Sequence, residues 1–522
     1  MITWLFVLSY AILDKLLLAA STPEIQLGKT RLVGRDVTGL QQDFFGGIPF
    51  AEPPVGALRF QRRILKTDID ADVCDAQNFG LPCLQRGLPA EAMSEDCLTI
   101  NILRPKMTTN VLLPVMFWTY GGGFFSGASS SFNGSNIVAQ SVARGTPVVY
   151  VNHNYRLGPL GFPQGPEAES SGRLNLGAKD QIAALEWVQQ NIGLFGGDKS
   201  KVMVFGESAG AMLTNLLFLM PSFPTLARAA IFESGALSSI VIYNASTREP
   251  AWENFVAGTP GCESVAGTQS TFDCLLQANT SAIYQGFSES YALAIERYPF
   301  VPSLDGPSGL LPDLPPHLWE NGEFARLPFI SGTNLDEGRL LERLLELYPD
   351  NPSVGSLYGT GEETFGLPSG FKRVASMSGD LTFDAQRRIW TQTAAGAGAK
   401  AYGYQFTQNS SSNPPSMEVN IIPPELVPHE AELDFVYGSL EPSIEPASSI
   451  LLGETMVEYW ISFATSLDPN DGLGISRPIW PQYTPENEVL LQLHGENITV
   501  IPDDYRKEQI EFLRDNPDVF NR

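Results

Sequence analysis

Ser208 is the residue of this chain best placed for nucleophilic chemistry. It lies at the centre of a Gly-x-Ser-x-Gly pentapeptide, with Gly206 and Gly210 two residues away on either side. An apolar run precedes the motif and a helical pattern follows it, which predicts a strand, a sharp turn and a helix. Glycine is needed at both flanks because side chains would collide in so tight a turn. A chance match in a glycine-rich chain is the alternative, and the strand-then-helix context argues against it.

The helix that starts after Ser208 would place free N–H groups and a positive dipole end where negative charge develops. Three further glycines, Gly121 to Gly123, follow an apolar run that ends at Trp118. Glycines let backbone N–H groups face an anion without Cβ obstruction. In serine hydrolases with such a turn, this loop and the residue after the nucleophile form the oxyanion hole. We therefore predict Gly122, Gly123 and Ala209 as donors; a flexible glycine turn is the alternative for the loop taken alone.

A serine nucleophile needs a general base, and the chain has four histidines. The chain order expected of this topology, serine, acid and then histidine, requires a histidine far downstream. His429 lies in a loop after an apolar strand and is the predicted base. His494 lies at a strand end near the terminus and is expected to be peripheral. His153, beside an apolar strand, reads as a hydrogen-bonded structural residue, and His317 as part of a loop or helix start.

The acid that orients the histidine should follow a strand between Ser208 and His429. Asp336 and Glu337 come shortly after the apolar run 328–331. Either carboxylate could accept a hydrogen bond from the His429 ring, and spacing alone does not choose between them. A solvated surface charge is the ordinary reading of any single acidic residue. Position at a strand end and in the right chain order favours this pair.

The elements that must position these residues alternate between strand and helix patterns. Such alternation predicts an α/β fold with a mostly parallel sheet covered by helices on both faces. Reactive groups in such sheets lie at the carboxyl ends of the strands. The predicted helices are 178–192 and 211–220. The predicted strands are 114–118, 146–151, 202–205, 229–232, 328–331 and 401–406.

Length and composition limit the class of protein. A chain of 522 residues with 43% hydrophobic residues can bury a large core. We expect one domain over residues 22–522, since no repeat, low-complexity tract or long linker is evident. The formal net charge of −25 argues against a nucleic-acid partner, which needs a basic face. An acidic surface mostly favours solubility, and steering of a cationic substrate is the minor alternative.

The first 21 residues resemble a secretory signal peptide. The apolar stretch Ile2–Leu13 has a suitable length, and small residues around Ala20 suit cleavage. Asp14 and Lys15 interrupt the stretch, so it makes a poor transmembrane helix, and stable membrane insertion is not expected. Secretion agrees with five Asn-x-Ser/Thr sequons, which are glycosylation candidates. The sequons begin at Asn133, Asn244, Asn279, Asn409 and Asn497.

Cysteine use is sparse and fits an oxidising compartment. Cys262 and Cys274 lie twelve residues apart in a polar stretch, which suits a local disulfide. The chain has neither a C-x-x-C pair nor an H-E-x-x-H helix, so no metal site is expected. Acyl transfer through a serine needs no cofactor, and none is predicted.

Several motifs occur in a fixed order from about Gly28 to the C-terminal region. They are Phe45–Pro54, Ser94–Asn101, Tyr120–Gly127, Tyr155–Gly158, Asn175–Gln181 and Phe205–Gly210. In this series the chain resembles the type-B carboxylesterases, the family of cholinesterases, mammalian carboxylesterases and fungal lipases, within the α/β-hydrolase fold. The resemblance implies a serine carboxylic ester hydrolase that works through an acyl-serine intermediate.

The resemblance also implies roles for individual residues. The triad acid resembles Glu337 rather than Asp336, and the base resembles His429. Ser234 resembles a family serine that supports the catalytic histidine. The family pairs the cysteine of the motif Ser94–Asn101 with one just upstream, which implies the disulfide Cys83–Cys97. Cys74 is then left over as a free or buried thiol, and its pairing in place of Cys83 is the alternative.

The substrate is the least constrained part of the interpretation. Fungal lipases of this family carry a long amphipathic lid where this chain has the short segment 84–96. Cholinesterases carry a choline-binding tryptophan in that loop, and here it has none. We therefore expect neutral carboxylic esters with aryl or medium-chain acyl groups. The alternatives are a lipase or sterol esterase acting on long-chain lipid esters, and a non-catalytic adhesion protein similar to neuroligins. Glu207 receives no catalytic role.

Overall fold

The apolar runs of the sequence are strands of one large central sheet. The computed structural model describes residues 22–66, 68–106, 111–294, 296, 298–334, 347–356, 360–409 and 427–515. The strands are β1 (Glu24–Leu27), β2 (Thr30–Val33), β3 (Arg35–Val37), β4 (Gln42–Pro49), β5 (Val73–Asp75), β6 (Thr99–Pro105), β7 (Leu113–Thr119), β8 (Val149–His153), β9 (Gly197–Glu207), β10 (Ala229–Glu233), β11 (Phe329–Asn334), β12 (Ala401–Phe406), β13 (Val489–Leu493) and β14 (Thr499–Pro502).

The large sheet has eleven strands in the order β14-β13-β12-β11-β10-β9-β7-β8-β6-β4-β3, and β1, β2 and β5 form a small separate sheet. Neighbours from β8 to β13 in this order are parallel, whereas β6, β4 and β3 at one edge and β14 at the other run antiparallel. The mostly parallel α/β sheet expected from the sequence is confirmed. The antiparallel edges were not predicted.

Helices cover the sheet and connect its strands. They are α1 (Ser135–Ala143), α2 (Gly158–Gly161), α3 (Pro166–Ser170), α4 (Leu176–Asn191), α5 (Ala209–Leu217), α6 (Glu249–Ala257), α7 (Thr271–Gln277), α8 (Thr280–Leu293), α9 (Pro315–Glu320), α10 (Phe371–Gly379), α11 (Ala385–Gly396), α12 (Leu433–Val436), α13 (Ala447–Ser466) and α14 (Lys507–Arg514). A π-helix, Asp380–Asp384, joins α10 to α11. Among the described helices, none combines the length and hydropathy that a membrane crossing requires.

Element boundaries differ from the sequence prediction for local reasons. The strand β8 begins at Val149 rather than at the predicted Thr146. Pro147 is one of the three residues that were predicted in the strand but lie before it. Proline has no N–H to donate to a neighbouring strand. The helix α5 begins two residues earlier than predicted because Ser208 itself forms the turn.

Aromatic packing fixes the sheet to its covering helices. On α11, Trp390 is fully buried and stacks on Phe329 of β11 with ring centroids 5.3 Å apart. On α13, Trp460 packs on Tyr404 of β12 at 5.6 Å. Rings of this size remove large apolar areas from water when they pack, and these contacts fix the central strands relative to the covering helices.

Two disulfides are present, Cys83–Cys97 and Cys262–Cys274. These are the pairings that the sequence spacing and the family resemblance implied. Cys74 is a free, half-buried thiol on β5, and burial raises its pKa. A raised pKa favours the protonated thiol over the nucleophilic thiolate, and the free thiol agrees with the expected leftover cysteine.

Candidate active site

Ser208 occupies a strained turn between β9 and α5. Its φ of 51° and ψ of −124° lie in a region that residues with a side chain rarely adopt. The turn is held by its backbone, since the Ser208 N–H donates to the Glu233 carbonyl at 2.9 Å and its own carbonyl accepts from Met212 at 2.9 Å. Such strain is typical of positions whose geometry serves function.

The flanking glycines let this turn pack against the end of β7. A Cβ on Gly206 would lie 2.7 Å from the Thr119 carbonyl oxygen, and one on Gly210 would lie only 2.0 Å from the same atom. Both approaches are far shorter than a real Cβ contact. The sequence requirement for glycine on both sides of Ser208 therefore follows from the backbone of a neighbouring strand.

The glycine loop after β7 lies directly against the nucleophile turn. A Cβ on Gly121 would meet the Ser208 Cβ at 2.8 Å, so only glycine permits this approach. Gly122 and Gly123 have φ values of 94° and 61°, which glycine adopts without strain. Ala209, the first residue of α5, follows the nucleophile. Gly121, which precedes the two predicted donors of the loop, thus lies against Ser208, and the third predicted donor follows Ser208 in the chain.

His429 lies in the turn before α12, close to the residue that precedes the nucleophile. Its Nε2 atom is 3.1 Å from Oε1 of Glu207, which is buried at the end of β9. The imidazole also stacks on Phe383 of the π-helix, with ring centroids 4.6 Å apart and planes at 25°. Ligand atoms of Glu207, His429 and Glu430 all lie within 4.8 Å of one another. The base predicted from the sequence is thus surrounded by carboxylates and one aromatic ring.

A buried carboxyl network lies beside the turn of His429. Glu432, three residues after the histidine, accepts hydrogen bonds from Ser234 Oγ at 3.2 Å and Asn334 Nδ2 at 2.5 Å. Glu233 accepts from Trp460 Nε1 at 2.7 Å. Burial and the nearby Glu432 raise the pKa of Glu233 well above its usual range. The network connects the ends of β10 and β11 to the histidine turn.

The sequence-predicted residues divide into those that the structure places and those that it does not describe. Ser208, the glycine loop and His429 lie at the carboxyl end of the sheet. Glu337 and Asp336 lie outside the described residues, just beyond the end of β11. Ser234 contacts Glu432, and this contact relates it to the histidine turn.

Two residues near the base were missed by the sequence reasoning. Glu207 received no role, yet its carboxylate is next to His429. Glu207 lies in the sequence between a predicted buried strand and the nucleophile. A charged side chain in such a position would be buried and would need a partner, so the sequence did carry a signal for its role. Phe383 had no sequence signal, since it comes from a helix with no motif.

The other histidines have surroundings of their own. His153 is fully buried and stacks on Phe117, and burial lowers its pKa to about 3, so it is neutral. His317 contacts Asp313 at 3.2 Å, and His494 contacts Gln408 at 3.0 Å.

The loop 84–96 is fastened at both ends. Gln85 makes two hydrogen bonds with the backbone of Gly127, one to its N–H and one to its carbonyl, both at 2.9 Å. At the far end, Glu95 forms a buried two-pronged ion pair with Arg59, with N–O distances of 2.6 and 2.9 Å. These bonds connect one end of the loop 84–96 to Gly127, four residues after the glycine loop, and the other end to the buried Arg59.

A mostly parallel sheet with a serine on a strained strand-to-helix turn defines the class as serine hydrolases of the α/β-hydrolase fold. Comparison with known proteins identifies the family within this class. The model of the Carboxylesterase family matches residues 21–353 and 368–513. The chain belongs to this family.

Its relatives include lipases and an esterase. The chain is 32% identical to Lipase 2 of Geotrichum candidum over 560 residues, covering 94% of this chain and 95% of the relative. It is 30% identical to Secreted lipase 1 of Botryotinia fuckeliana, covering 95% and 93%. It is 32% identical to para-nitrobenzyl esterase of Bacillus subtilis, covering 86% and 91%.

Solved structures agree with this assignment. The crystal structure of Aspergillus niger EstA matches with a TM-score of 0.81 at 25% identity, covering 96% of this chain and 99% of that one. With the family match, these similarities make the chain a serine carboxylic ester hydrolase acting on an ester substrate. The non-catalytic adhesion alternative is thereby set aside.

Proposed function

We propose that Ser208, Glu337 and His429 form the catalytic triad and that the enzyme prefers soluble, neutral esters with aryl or medium-chain acyl groups. The observation that carries the triad is the contact of His429 with Glu207, the neighbour of Ser208. It brings the predicted base next to the residue that precedes the predicted nucleophile, although more than 200 residues separate the two in the chain. Glu337 follows closely on Asn334, whose side chain donates to Glu432 in the same histidine turn.

In the proposed reaction the Ser208 hydroxyl attacks the ester carbonyl while His429 takes its proton. Glu337 holds the imidazole tautomer and stabilises the imidazolium. The N–H groups of Gly122, Gly123 and Ala209 bind the oxyanion, each worth about 2.7–4 kcal/mol in the transition state. His429 then protonates the departing alcohol, and water activated by the same base releases the acid from the serine. Ser234 supports this geometry through its bond to Glu432.

Aromatic side chains beside the glycine loop support the preference for aryl or acyl groups. The Tyr298 ring packs so closely on Gly123 that a Cβ there would lie 2.6 Å from it. Phe125 contacts Tyr291 and Tyr298 with ring centroids 5.3 and 6.2 Å apart. Phe125 and Tyr298 are partly exposed. They therefore offer an apolar wall next to the predicted oxyanion donors.

The fastened loop 84–96 supports an esterase over a lipase with a mobile lid. A lid that opens at an oil surface must break its closed-state contacts at a small cost in free energy. Here opening would break the Gln85–Gly127 pair and the buried Arg59–Glu95 ion pair. Separating these groups costs free energy that a mobile lid would have to recover on opening. The relatives named as lipases keep the lipase function as the alternative.

We also propose that the protein is secreted and glycosylated. Some relatives are named as secreted lipases. All five sequon asparagines are exposed. Asn244 and Asn279 cap helices through their Oδ1 atoms, whereas a glycan attaches to Nδ2, so the two uses are compatible. The proposed signal peptide, residues 1–21, lies outside the described residues.

The test is a series of p-nitrophenyl esters of increasing chain length, measured below and above the solubility limit of each. We expect the highest kcat/KM for short to medium acyl chains, without a rise at the solubility limit. A sharp rise in rate only above that limit, on long-chain esters, supports the lipase alternative instead.

The nucleophile is tested in the same assay. Ser208→Ala should lose at least about 10⁴-fold in kcat and all labelling by an organophosphonate. Ser170→Ala, at an exposed helix position, is the matched control and should retain full activity. Labelling that survives Ser208→Ala would show that another residue is the nucleophile.

A further inference from the structure

A π-helix places an aromatic ring on the proposed catalytic base. Phe383 is 8% exposed, and its ring is nearly parallel to the imidazole of His429 at 4.6 Å. Aromatic rings at this separation attract one another beyond the effect of the area that they bury. One face of the imidazole is therefore covered by a ring that belongs to a different element.

The π-helix makes this placement specific. The Ala385 N–H donates to the Asp380 carbonyl, five residues earlier, so one extra residue is inserted between α10 and α11. Such insertions cost hydrogen-bond quality and occur frequently at functional sites. The inserted turn carries Phe383.

Buried polar contacts hold the inserted turn in place. Asp384 accepts a hydrogen bond from Thr333 of β11 at 2.9 Å. Asp380 accepts from Tyr348 at 2.7 Å and pairs with Arg506 from the C-terminal segment. Burial raises the pKa of Asp380, and the neighbouring Asp384 raises it further. The turn is thus fixed to the same strand, β11, whose end leads to the proposed acid Glu337.

We propose that Phe383 is a positioning residue. The π-helix holds the Phe383 ring against His429, and this stacking fixes the orientation of the imidazole for its role between the proposed nucleophile and acid. The inference rests on the proposed role of His429. An imidazole free to rotate about its side-chain bonds would lose productive geometry, and small misplacements of reacting groups cost up to about 10²-fold in rate. The ring acts on the orientation of the base and has no need to touch the substrate.

The test compares Phe383→Leu with Phe383→Tyr on a soluble p-nitrophenyl ester. We expect Phe383→Leu to lower kcat about tenfold, with KM within twofold, because only the transition state needs the oriented base. Phe383→Tyr keeps the ring and should keep at least half of kcat. Active-site titration with an organophosphonate corrects each rate for the fraction of folded sites. Should Phe383→Leu fail to fold, Phe383→Met supplies the same comparison.

Leu381→Ala is the matched control in the same turn. Leu381 is equally buried but packs in a second apolar cluster with Tyr348 and Ile510. We expect it to lower thermal stability while kcat per titrated site stays within twofold. An equal kcat loss in Leu381→Ala and Phe383→Leu would assign the effect to the turn as a whole and overturn the role of the ring. An unchanged kcat in Phe383→Leu, or a rise in KM alone, would overturn it too.

His429→Gln separates this inference from the proposed triad. If His429→Gln is inactive and Phe383→Leu retains full kcat, the triad stands and the positioning role falls. If His429→Gln retains activity, the proposed base itself is wrong, and the positioning role falls with it.

Discussion

Glu207 precedes the proposed nucleophile in sequence and contacts the proposed base in space. Its side chain is 1% exposed, and its Oε1 atom is 3.1 Å from His429 Nε2. A carboxylate at that distance favours the charged imidazole, which forms when the base takes the serine proton. Its burial makes the interaction stronger than the same pair would be in water. We infer that Glu207 stabilises the imidazolium through its contact with Nε2 of His429.

Glu207→Gln should therefore lower kcat/KM about tenfold, because it removes a buried negative charge 3.1 Å from the imidazole that becomes positive in the reaction. The acidic limb of the pH profile of kcat/KM should also move to lower pH, since the charged imidazole loses a stabilising partner. Glu430→Gln is the matched control: this carboxylate belongs to the same cluster but is partly exposed, so a smaller change is expected. An unmoved acidic limb in Glu207→Gln would contradict the inference.

At the scale of elements, a buried ion pair holds one end of the loop 84–96. Arg59 donates both to Glu95 and to the backbone carbonyl of Ala278, just after the end of α7. Both side chains of the ion pair are only 4% exposed. Water cannot replace a lost partner at such a site, so each group depends on the other.

Arg59→Met should destabilise the protein by about 3–5 kcal/mol, because it leaves the Glu95 carboxylate buried without its cation. The measurement is urea unfolding followed by fluorescence, with the midpoint expected at lower urea than in the unmodified chain. Lys29→Met breaks an ion pair with Asp70 whose side chains are 61% and 94% exposed. That control should change stability by less than about 0.5 kcal/mol. Equal effects of the two substitutions would refute the buried-pair argument.

At the scale of the whole molecule, the sequence predicted local features better than distant contacts. The turn at Ser208 and the parallel strands have local causes, namely glycine spacing and apolar runs. The approach of His429 to Glu207, and of Phe383 to His429, depends on segments joined only by the tertiary fold. The π-helix has no sequence signature, because one inserted residue shifts the spacing of the apolar residues by only one position, too little to distinguish it from an ordinary helix. The antiparallel edge strands carry mixed patterns that resemble loops.

The stability of the whole chain should depend on pH through its buried carboxyl groups. Burial and Glu432 raise the pKa of Glu233 above its usual range, so the folded state holds a proton that the unfolded state loses above pH of about 4.3. This group therefore lowers stability as pH rises. Burial would also raise the pKa of Asp503, but Arg387 and Arg388 overcome it and hold the pKa below its usual range. Asp503 contributes stability above pH of about 3.9 that is lost in acid.

Glu233→Gln should remove the first effect, since glutamine can still accept the hydrogen bond from Trp460 and never ionises. The net charge of −25 adds self-repulsion as pH rises in both proteins, so the comparison must be made at each pH. We expect the melting temperature of the variant, relative to the unmodified chain, to rise as pH increases above about 4.3, until the raised pKa of Glu233 in the folded state is passed. Asp503→Asn serves as the control of opposite sign, with a stability deficit that is largest near neutral pH and shrinks only in strong acid. A Glu233→Gln difference that is constant between pH 5 and pH 8 would show that the folded protein ionises Glu233 as readily as the unfolded chain does.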